Sequence, residues 1–447
     1  MTPEEMNAID AAAPEPVEVL IERAGRAVAL AAVELLGGVY GRTVNVIAGP
    51  GNNGADGRVA GRLLTRRGVR IREFDATTVP TALPSADLVI DAAFGTGFRG
   101  DWTAPDVGDV PVLAVDVPSG LNALTGIGGA GVLWAQRTVT FQALKPGLLF
   151  ADGPAMVGDL TVAEIGLDAS RSDAYLVEES DIASWWPLRS SDAHKWRSAL
   201  RIVAGSPAML GAGRLCAAGA ARAGAGLVSL SSPGAAPGAR DEIVQPPLPD
   251  AGWAASILDD LHRFSALAVG PGLGRAEATM TSVVDVVARA ACPVVVDGDG
   301  LSAFAASSTS GQLALTSRAA PTVLTPHDRE FEILTGARPA LDRIADARAA
   351  ARTLGCTLLL KGPTTVIAAP DGRVLVVDHG DERLATAGSG DVLTGIIGAA
   401  LAAGAPPLEA AAAGAWLHAE AARLGSRIGL LAGDLVEMLP HALTALR

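Results

Sequence analysis

Only three of the 35 lysine and arginine side chains in the chain are lysines, namely Lys145, Lys195 and Lys361. Arginine suffices wherever only a positive charge is needed, whereas a compact ammonium that titrates or holds one phosphate oxygen is not freely replaced by a guanidinium. Lys145 begins a KPG turn, Lys195 follows a histidine, and Lys361 begins the segment KGPTT. We therefore expect the lysines to mark places where the chain binds ligands or performs chemistry.

A glycine-rich segment, GPGNNGADG at 49–57, follows a β-branched run and precedes an arginine-rich helix. Backbone N–H groups and a helix N-terminus then point at one spot, which predicts an anion site. The segment contains the pattern GxGxxG, but GTGFRG and GIGGAG match it too, so the pattern alone is weak. More weight rests on the polar residues placed after successive predicted strands, which are Asn53, Asp91, Asp116 and Ser119.

The strands of a doubly wound sheet share one crevice at their carboxyl ends, so these polar side chains should face a common ligand. Asp116 is our candidate for a catalytic group that gives and takes a proton. Lys145, in the loop after the next strand, would lower the pKa of the Asp116 carboxyl.

A second glycine-rich turn, ATAGSGDVLTG at 385–395, opens an apolar helix with Asp391 in its first turn. Consecutive N–H groups there can hold a transferring phosphoryl group while the carboxylate takes a proton from a hydroxyl. KGPTT at 361–365 closes a predicted strand and places Lys361 beside two hydroxyls, which suits a phosphate clamp.

Two alternations of β-branched runs with helical stretches must position these residues, one over 44–167 and one from 200 onward. The strands predicted in the first alternation are 44–48, 69–76, 87–93, 111–117, 137–141 and 160–166. The segment between the alternations, 168–194, is polar and has no clear period. The two halves show no similarity in register. The sequence therefore predicts a fusion of two different doubly wound α/β domains.

The motifs LIERAG, GNNGxDG, DAxFGTG, VDVPSGL and TFxxxKPG, in this order, resemble the NAD(P)H-hydrate epimerase domain over about residues 1–170. That family interconverts the two C6 epimers of NAD(P)HX, the hydrate formed when water adds to the dihydropyridine ring. For that reaction the C6 hydroxyl must leave and return on the other face, and Lys145 would stabilise the departing hydroxide. The resemblance implies a potassium ion held by Asn53, Asp91 and Ser119, which all offer hard oxygen donors. It also implies a set of hydrate-binding residues: Asn52, Asn53, Gly54, Ala55, Asp56, Gly95, Thr96, Gly97, Phe98, Arg99, Gly100, Asp101 and Asp116.

The motifs HK, AGS, GAGLV, GPGLG, VVDGDGL, TPHxxEF, KGxxT and AGSGDVLTG resemble the NAD(P)H-hydrate dehydratase domain of the ribokinase-like superfamily over about residues 190–447. The resemblance implies that ADP or ATP contacts Lys361, Gly362, Pro363, Thr364, Thr365 and Gly390. It implies a hydrate pocket lined by Ala212, Gly272, His327 and Asp391. Hydroxide is a poor leaving group, so we expect phosphorylation of the C6 hydroxyl with Asp391 as base, and then loss of phosphate. A magnesium ion held mainly by phosphates and water would assist.

Together the resemblances imply two doubly wound three-layer α/β/α domains, Rossmann-like at 1–180 and ribokinase-like at 181–447. The implied function is a bifunctional repair of hydrated nicotinamide cofactors. An alternative stays open, in which a ribokinase-like small-molecule kinase is fused to a nicotinamide-binding sensor or interaction domain. Three positions depart from the family patterns: Ala55 and Trp196 stand where glycine is usual, and Gly298 where alanine is. If position 55 needs a positive φ, the loop is strained.

The composition limits the partners. The chain is 49% apolar and 19% charged with a net charge of −13, which excludes disorder and leaves no basic face for nucleic acid or an anionic membrane. We expect NADHX, NADPHX and ADP or ATP as small-molecule partners. The first residues lack the apolar core of a secretory signal, which favours a cytoplasmic location. The sequence does not decide between ADP and ATP, between the two hydrates, or whether the chain forms a homo-oligomer.

Overall fold

The structure, a computed structural model, describes residues 1–98, 100 and 102–446. The chain forms two compact units, Met1–Ser172 and Asp173–Arg447. The sequence predicts a boundary at residues 180 and 181. The structure places it earlier because Ala174–Leu176 pairs with a strand of the second unit. The prediction of two α/β folds is confirmed.

The first unit is built on a sheet of six parallel strands. The strands are β1 (Thr43–Ala48), β2 (Arg70–Asp75), β3 (Leu88–Ala92), β4 (Val112–Val115), β5 (Arg137–Phe141) and β6 (Asp159–Ala163). The helices are α1 (Pro3–Ala11), α2 (Val17–Leu36), α3 (Asn52–Thr65) and α4 (Gly153–Met156), with a 3-10 helix at Pro146–Leu148. The strand order is β2-β1-β3-β4-β5-β6, and each strand lies in one of the predicted β-branched runs.

Both faces of this sheet are covered, but by different kinds of structure. Every residue of β3 and β4 is buried, which is typical of parallel strands inside a domain. One face packs on α2 and α3, which approach closely at Gly25, where a Cβ would lie 2.4 Å from the Cβ of Val59. On the opposite face connecting segments cover β1, β3 and β4, whereas Leu160 of β6 shares a cluster with Met156 of α4 and Leu148 of the 3-10 helix. The helical face therefore fixes α3 with its N-terminus at the carboxyl end of β1.

The second unit contains a mixed sheet of nine strands. They are β7 (Ala174–Leu176), β8 (Ala199–Val203), β9 (Leu227–Ser231), β10 (Ala266–Val269), β11 (Val294–Val296), β12 (Thr322–Leu324), β13 (Thr357–Leu360), β14 (Thr365–Ala368) and β15 (Val374–Val377). Their order is β7-β15-β14-β13-β12-β11-β10-β8-β9. The pairs β13–β14 and β14–β15 are antiparallel and the others are parallel.

Helices cover both faces of the second sheet. They are α5 (Glu179–Trp185), α6 (Leu210–Arg222), α7 (Ala254–Asp260), α8 (Glu277–Arg289), α9 (Thr309–Thr316), α10 (Asp328–Thr335), α11 (Arg343–Leu354), α12 (Ser389–Ala402), α13 (Pro407–Leu424) and α14 (Ala432–Ala445). Short 3-10 helices lie at Lys195–Ser198, Leu261–Arg263, Gly298–Phe304 and Glu382–Leu384. After its first turn α12 is buried on all sides, as its apolar sequence requires, and this fixes Asp391 at the start of the helix. None of the described helices has the length and apolar composition needed to cross a bilayer.

The position of β7 generates a prediction about truncation. A fragment starting at residue 173 retains the pairing of β7 with β15, whereas one starting at 181 loses this edge strand and the buried side chain of Val177. We expect the 181–447 fragment to have the lower Tm, because about 1 kcal/mol lowers Tm by about 2–4 °C in a domain of this size. Thermal unfolding of both fragments measures the difference, and equal Tm values would contradict the placement of β7.

Candidate active sites

A cavity of about 630 Å³ opens at the carboxyl ends of the strands of the first unit. Nine residues that the sequence predicts for this site line it: Asn52, Asn53, Asp56, Gly95, Thr96, Gly97, Phe98, Asp116 and Lys145. Side chains of α1 and α2, including Met6 and Leu20, form another part of its wall. Residues from four separate sequence motifs therefore meet at one crevice.

The glycine-rich segment forms the start of α3, with Gly51 as the N-cap and Asn52 as the first helical residue. The N–H groups of such a first turn are free to bind an anion. Gly54 and Ala55 lie inside the helix and do not line the cavity. Ala55 is helical and is not among the described non-glycine residues with positive φ, so the departure from glycine brings no strain.

Asp116, directly after β4, forms a buried ion pair with Lys145. Lys145 Nζ donates to Asp116 Oδ1 at 2.6 Å, to Thr140 Oγ1 at 2.9 Å and to the carbonyl oxygen of Phe141 at 2.9 Å. Thr140 Oγ1 in turn donates to Asp116 Oδ1 at 3.1 Å. Asp116 has φ of 68°, in the left-handed region that side chains rarely adopt, so the surrounding contacts hold a strained backbone here. All three ammonium protons of Lys145 are thus directed at protein oxygens.

The three residues predicted to hold potassium lie at neighbouring strand ends. Ser119 Oγ donates to Asp91 Oδ1 at 2.6 Å, and the Ser119 N–H donates to Asp91 Oδ2 at 2.9 Å. Both residues are fully buried, and burial raises the pKa of Asp91. A Cβ on Gly95 would lie 3.3 Å from Asn53 Oδ1 and 3.2 Å from Asp116 Oδ2, so Asn53 and Asp116 face the same glycine. The Nδ2 of Asn53 is buried without a partner among the described residues.

Asp56 is another carboxyl group that lines this cavity. It lies on α3 and is only 6% exposed. Burial raises its pKa to about 8, with a further contribution from the charges of Asp116 and Asp10. Of the other predicted residues, Gly100 is described but does not line the cavity, and Arg99 and Asp101 lie outside the described residues.

The second unit contains a lysine–aspartate pair of the same kind. Lys361 Nζ, after β13, donates to Asp297 Oδ1 at 2.8 Å and lies 3.6 Å from Glu330 Oε2. Thr394 Oγ1 donates to Asp297 Oδ2 at 2.7 Å from the second turn of α12. Burial by itself would raise the pKa of Asp297, but Lys361 and the hydrogen bonds outweigh it and hold that pKa below its usual value. Asp297 therefore stays ionised.

Asp391 lies in the first turn of α12, next to this pair. A Cβ on Gly390 would lie 3.6 Å from Lys361 Nζ and 3.7 Å from Asp297 Oδ2. Burial raises the pKa of Asp391 to about 7 and the charge of Asp297 adds to the rise, while Lys361 opposes it. A carboxyl group with such a pKa can exchange protons near neutral pH, as a general base must.

The residues predicted to line the hydrate pocket of this unit have different roles. A Cβ on Gly272 would lie 2.7 Å from the Cβ of Ala212, so these two residues are in contact distance. His327 forms the N-terminal capping box of α10. Its ring Nδ1 accepts from the backbone N–H of Glu330 at 3.2 Å, and its backbone N–H donates to Glu330 Oε2 at 3.0 Å. Of the nucleotide residues, Gly362 accepts from Thr365 Oγ1 at 3.1 Å within the turn between β13 and β14, which also contains Pro363 and Thr364.

The two departures in this unit have local structural explanations. Gly298 has φ of 56°, a conformation in which alanine would cost about 1–2 kcal/mol. The Trp196 ring packs edge-on against Phe264 with ring centroids 5.7 Å apart, and the Arg263 guanidinium lies 4.4 Å from the Trp196 centroid. The indole thus packs on an aromatic and a cationic side chain.

The structure also shows participants that the sequence analysis did not single out, namely Thr140, Asp297, Glu330 and Thr394. Asp297 directly follows a strand in the motif VVVDGDG, so its position after the strand was an available signal. The two threonines lie inside a strand and a helix, and no local pattern distinguishes them from other buried threonines. Lys195 is exposed and has no hydrogen bond or ion pair in the described part of the chain.

Comparison with known proteins covers both units. A family model described as NAD(P)H-hydrate dehydratase matches residues 200–441, and one described as YjeF-related protein N-terminus matches residues 17–79 and 72–147. Two relatives named bifunctional NAD(P)H-hydrate repair enzyme Nnr, from Moorella thermoacetica and Mycobacterium leprae, are each 36% identical to this chain. The alignments cover 96% of this chain and 92% and 95% of the respective relatives.

Two solved structures match the chain over the length of one unit. Bacillus subtilis YxkO, a member of the UPF0031 family, is 28% identical with a TM-score of 0.50, covering 60% of this chain and 98% of its own. A ribokinase-like superfamily protein from Enterococcus faecalis, 20% identical, has a TM-score of 0.53 and covers 62% of this chain and 97% of its own. The second of these shows the shared fold.

The raised pKa of Asp391 predicts a dependence of stability on pH. Between about pH 4 and pH 7 the folded chain keeps a proton that Asp391 releases on unfolding, so rising pH removes stability over this window. Asp391→Asn removes this loss of stability. The Tm of Asp391→Asn minus the Tm of wild type should therefore be more positive at pH 8 than at pH 5. The exposed Asp285, in an ion pair with Arg289, offers a control as Asp285→Asn. Thermal unfolding checks this, and a difference that does not change with pH would contradict it.

Proposed function

The chain belongs to the family of bifunctional NAD(P)H-hydrate repair enzymes, and on this premise we propose how its two sites divide the reaction. The chain is an epimerase and a nucleotide-dependent dehydratase of NAD(P)HX. The cavity of the first unit would interconvert the R and S epimers, and the site around Asp391 would dehydrate the S epimer to NAD(P)H. The observation that carries the proposal is the lysine-held carboxylate that each site places beside a second aspartate.

Epimerisation at C6 needs a hydroxyl that leaves and returns on the other face of the ring. The ring nitrogen lone pair forms the N1=C6 double bond as the C6–O bond breaks, and water then adds to C6. Asp116, in an ion pair with Lys145, is placed to accept the proton of the incoming water. Lys145 acts on the substrate through Asp116, because its own protons are bonded to three protein oxygens.

A potassium ion fits the residues beside this cavity. Asp91 is a fully buried carboxylate whose bonding partners in the described chain are neutral, namely Ser119 and the Ala93 N–H. A buried charge of this kind calls for a counter-ion. The carboxylate, hydroxyl and amide oxygens of Asp91, Ser119 and Asn53 are hard donors without nitrogen or sulfur ligands. The ion would compensate the charge of Asp91 and fix the loop that carries Gly95.

In the second unit Asp391 would take the proton from the C6 hydroxyl as its oxygen attacks the terminal phosphoryl group of ADP or ATP. The ring nitrogen lone pair then expels inorganic phosphate, and loss of a C5 proton restores the dihydropyridine. The N–H groups at the start of α12 and the Lys361 ammonium would hold the phosphates. The segment Gly362–Thr365 would contact the nucleotide.

Magnesium would neutralise the charge that develops on the transferring phosphoryl group. No three His, Cys, Asp or Glu side chains are grouped as a metal site within residues 1–98, 100 and 102–446. Asp297 is occupied by Lys361 and Thr394. The donor set fits an ion held chiefly by the nucleotide phosphates and water.

The division of labour predicts a pair of selective defects. Asp391→Asn should lower nucleotide-dependent recovery of NADH by about 10²–10⁴ and leave epimer exchange intact, because only the second site loses its base. Asp116→Asn should do the reverse. NADH absorbance follows the first reaction and chromatography of the separated epimers follows the second. Equal loss of both reactions in either variant would show that the two sites are not independent.

The potassium assignment predicts a cation effect on binding. Replacing potassium by a bulky organic cation should weaken hydrate binding, and Asp91→Ala should weaken it similarly and abolish the difference between the two cations. Asp87→Ala is the matched control, since Asp87 is partly exposed, directly precedes β3, the strand of Asp91, and pairs with Arg42. Titration calorimetry gives the affinities. Identical affinities in both cations, with a reaction stopped by chelators of divalent metals, would overturn the assignment.

A further inference from the structure

The epimerase reaction needs a proton donor that the residues discussed so far do not supply. A C6 hydroxyl leaves as water only if it receives a proton. All three protons of Lys145 are bonded to Asp116, Thr140 and Phe141, and Asp116 is the acceptor of two of the hydrogen bonds in this cluster. An ionised Asp116 can accept a proton but has none to give. A second acid must therefore face the hydrate.

We propose that Asp56 is the general acid of the epimerase site, which donates a proton to the departing C6 hydroxyl while Asp116 serves as the base. This inference rests on the proposed epimerase function of the first unit. It assigns to the two aspartates of one cavity opposite roles in a single exchange of water.

The geometry places Asp56 where such an acid must be. Its side chain lines the same cavity as Asp116 and Gly95, and the residue is only 6% exposed. No side chain or backbone group of the described residues donates a hydrogen bond to the Asp56 carboxyl or forms an ion pair with it. In a folded chain, buried carboxyls without such partners are rare unless they serve a ligand. The Asp56 carboxyl is thus left available to the cavity.

The charges around Asp56 favour its protonated form. The described titratable groups that line the cavity with it are Asp10, Glu15, Asp116 and Lys145. Lys145 is already paired with Asp116, and Glu15 is paired with Arg23, so the surplus of negative charge that Asp56 faces comes from Asp10.

Charged groups on the neighbouring elements form ion pairs or hydrogen bonds with residues other than Asp56. Arg58 of the same helix pairs with Glu73 of β2, and Arg62 pairs with Glu22 of α2, on exposed surfaces. Asp91 of β3 is bonded to Ser119. Burial, with these charges, raises the pKa of Asp56 to about 8, so it holds its proton at neutral pH.

The proposed step balances. As the N1 lone pair forms the N1=C6 bond, the C6–O electrons pass to the oxygen, which takes the Asp56 proton and leaves as water. Water then adds to C6 from the other face, its electrons form the new C6–O bond, the N1=C6 electrons return to N1, and its proton passes to Asp116. Exchange with solvent returns a proton to Asp56 and removes one from Asp116, which restores the starting state.

Substitution at Asp56 tests the proposal against a binding role. In Asp56→Asn the epimer exchange rate should fall by about 10²–10⁴ after subtraction of the spontaneous rate, while hydrate affinity changes by no more than about threefold. The exchange rate of the wild-type chain should fall as pH rises through about 8. This fall is the alkaline limb of the pH–rate profile, and Asp56→Asn should lose it. Asp56→Glu keeps an acid at the position and should recover part of the rate and the limb.

Two further variants separate the acid from its surroundings. Asp10→Asn removes a charge that raises the pKa of Asp56, so the alkaline limb should remain but move to lower pH. Asp75→Asn, at the exposed end of β2, should leave the limb in place. Thermal unfolding of each full chain, followed by circular dichroism, tests whether the first unit is folded, and dehydration of pure S-NADHX tests the second unit.

The possible outcomes are distinct. Exchange at the wild-type rate in Asp56→Asn, or wild-type exchange that stays constant to pH 10, would overturn the role of Asp56. A loss of affinity at an unchanged rate would assign Asp56 to binding and also overturn it. Failure of the wild-type chain itself to exchange epimers would instead reject the proposed function of the first unit.

Discussion

In each unit a lysine ammonium forms an ion pair with one buried aspartate, and the rest of each site depends on that pair. Lys145 holds Asp116 with Thr140, and Lys361 holds Asp297 with Thr394. Removal of one partner from a buried pair typically costs about 3–5 kcal/mol, because the other is left uncompensated. In both sites burial, with a further contribution from the paired carboxylate, raises the pKa of a second aspartate, to about 8 at Asp56 and to about 7 at Asp391. In each unit a carboxylate paired with a lysine thus lies in the same site as a carboxyl group whose pKa is raised.

In the proposed mechanisms the second aspartate has opposite roles in the two sites, an acid in the first unit and a base in the second. A carboxyl group with a pKa above the working pH stays protonated and can serve as an acid. A carboxyl group with a pKa near the working pH is partly deprotonated and can serve as a base. Asp56, on the second turn of α3, is buried deeply enough for the first role. Asp391 lies at the very start of α12, with Lys361 nearby to oppose the rise. Small differences in burial and in the distance to an ammonium therefore separate an acid from a base without any change of residue type.

The sequence predicted the strands because buried parallel strands are recognisable as β-branched runs. It predicted the crevice and most of its lining because polar residues follow the carboxyl ends of those strands. It did not predict Thr140 or Thr394, since the partner of a buried lysine is chosen by tertiary packing. Position 55 looked strained because the family usually has glycine there. The structure shows it inside α3, where alanine is the best helix former. The boundary was misplaced because β7 is too short to stand out from a polar segment.

The scarcity of lysine has a practical consequence. Two of the three lysines are in buried or largely buried ion pairs, and Lys195 alone is exposed. Reagents that acylate side-chain amines should therefore modify one side chain and leave both sites unreacted. A single fluorophore or a surface tether can be attached there without mutagenesis, so that every molecule in a layer is anchored through the same side chain.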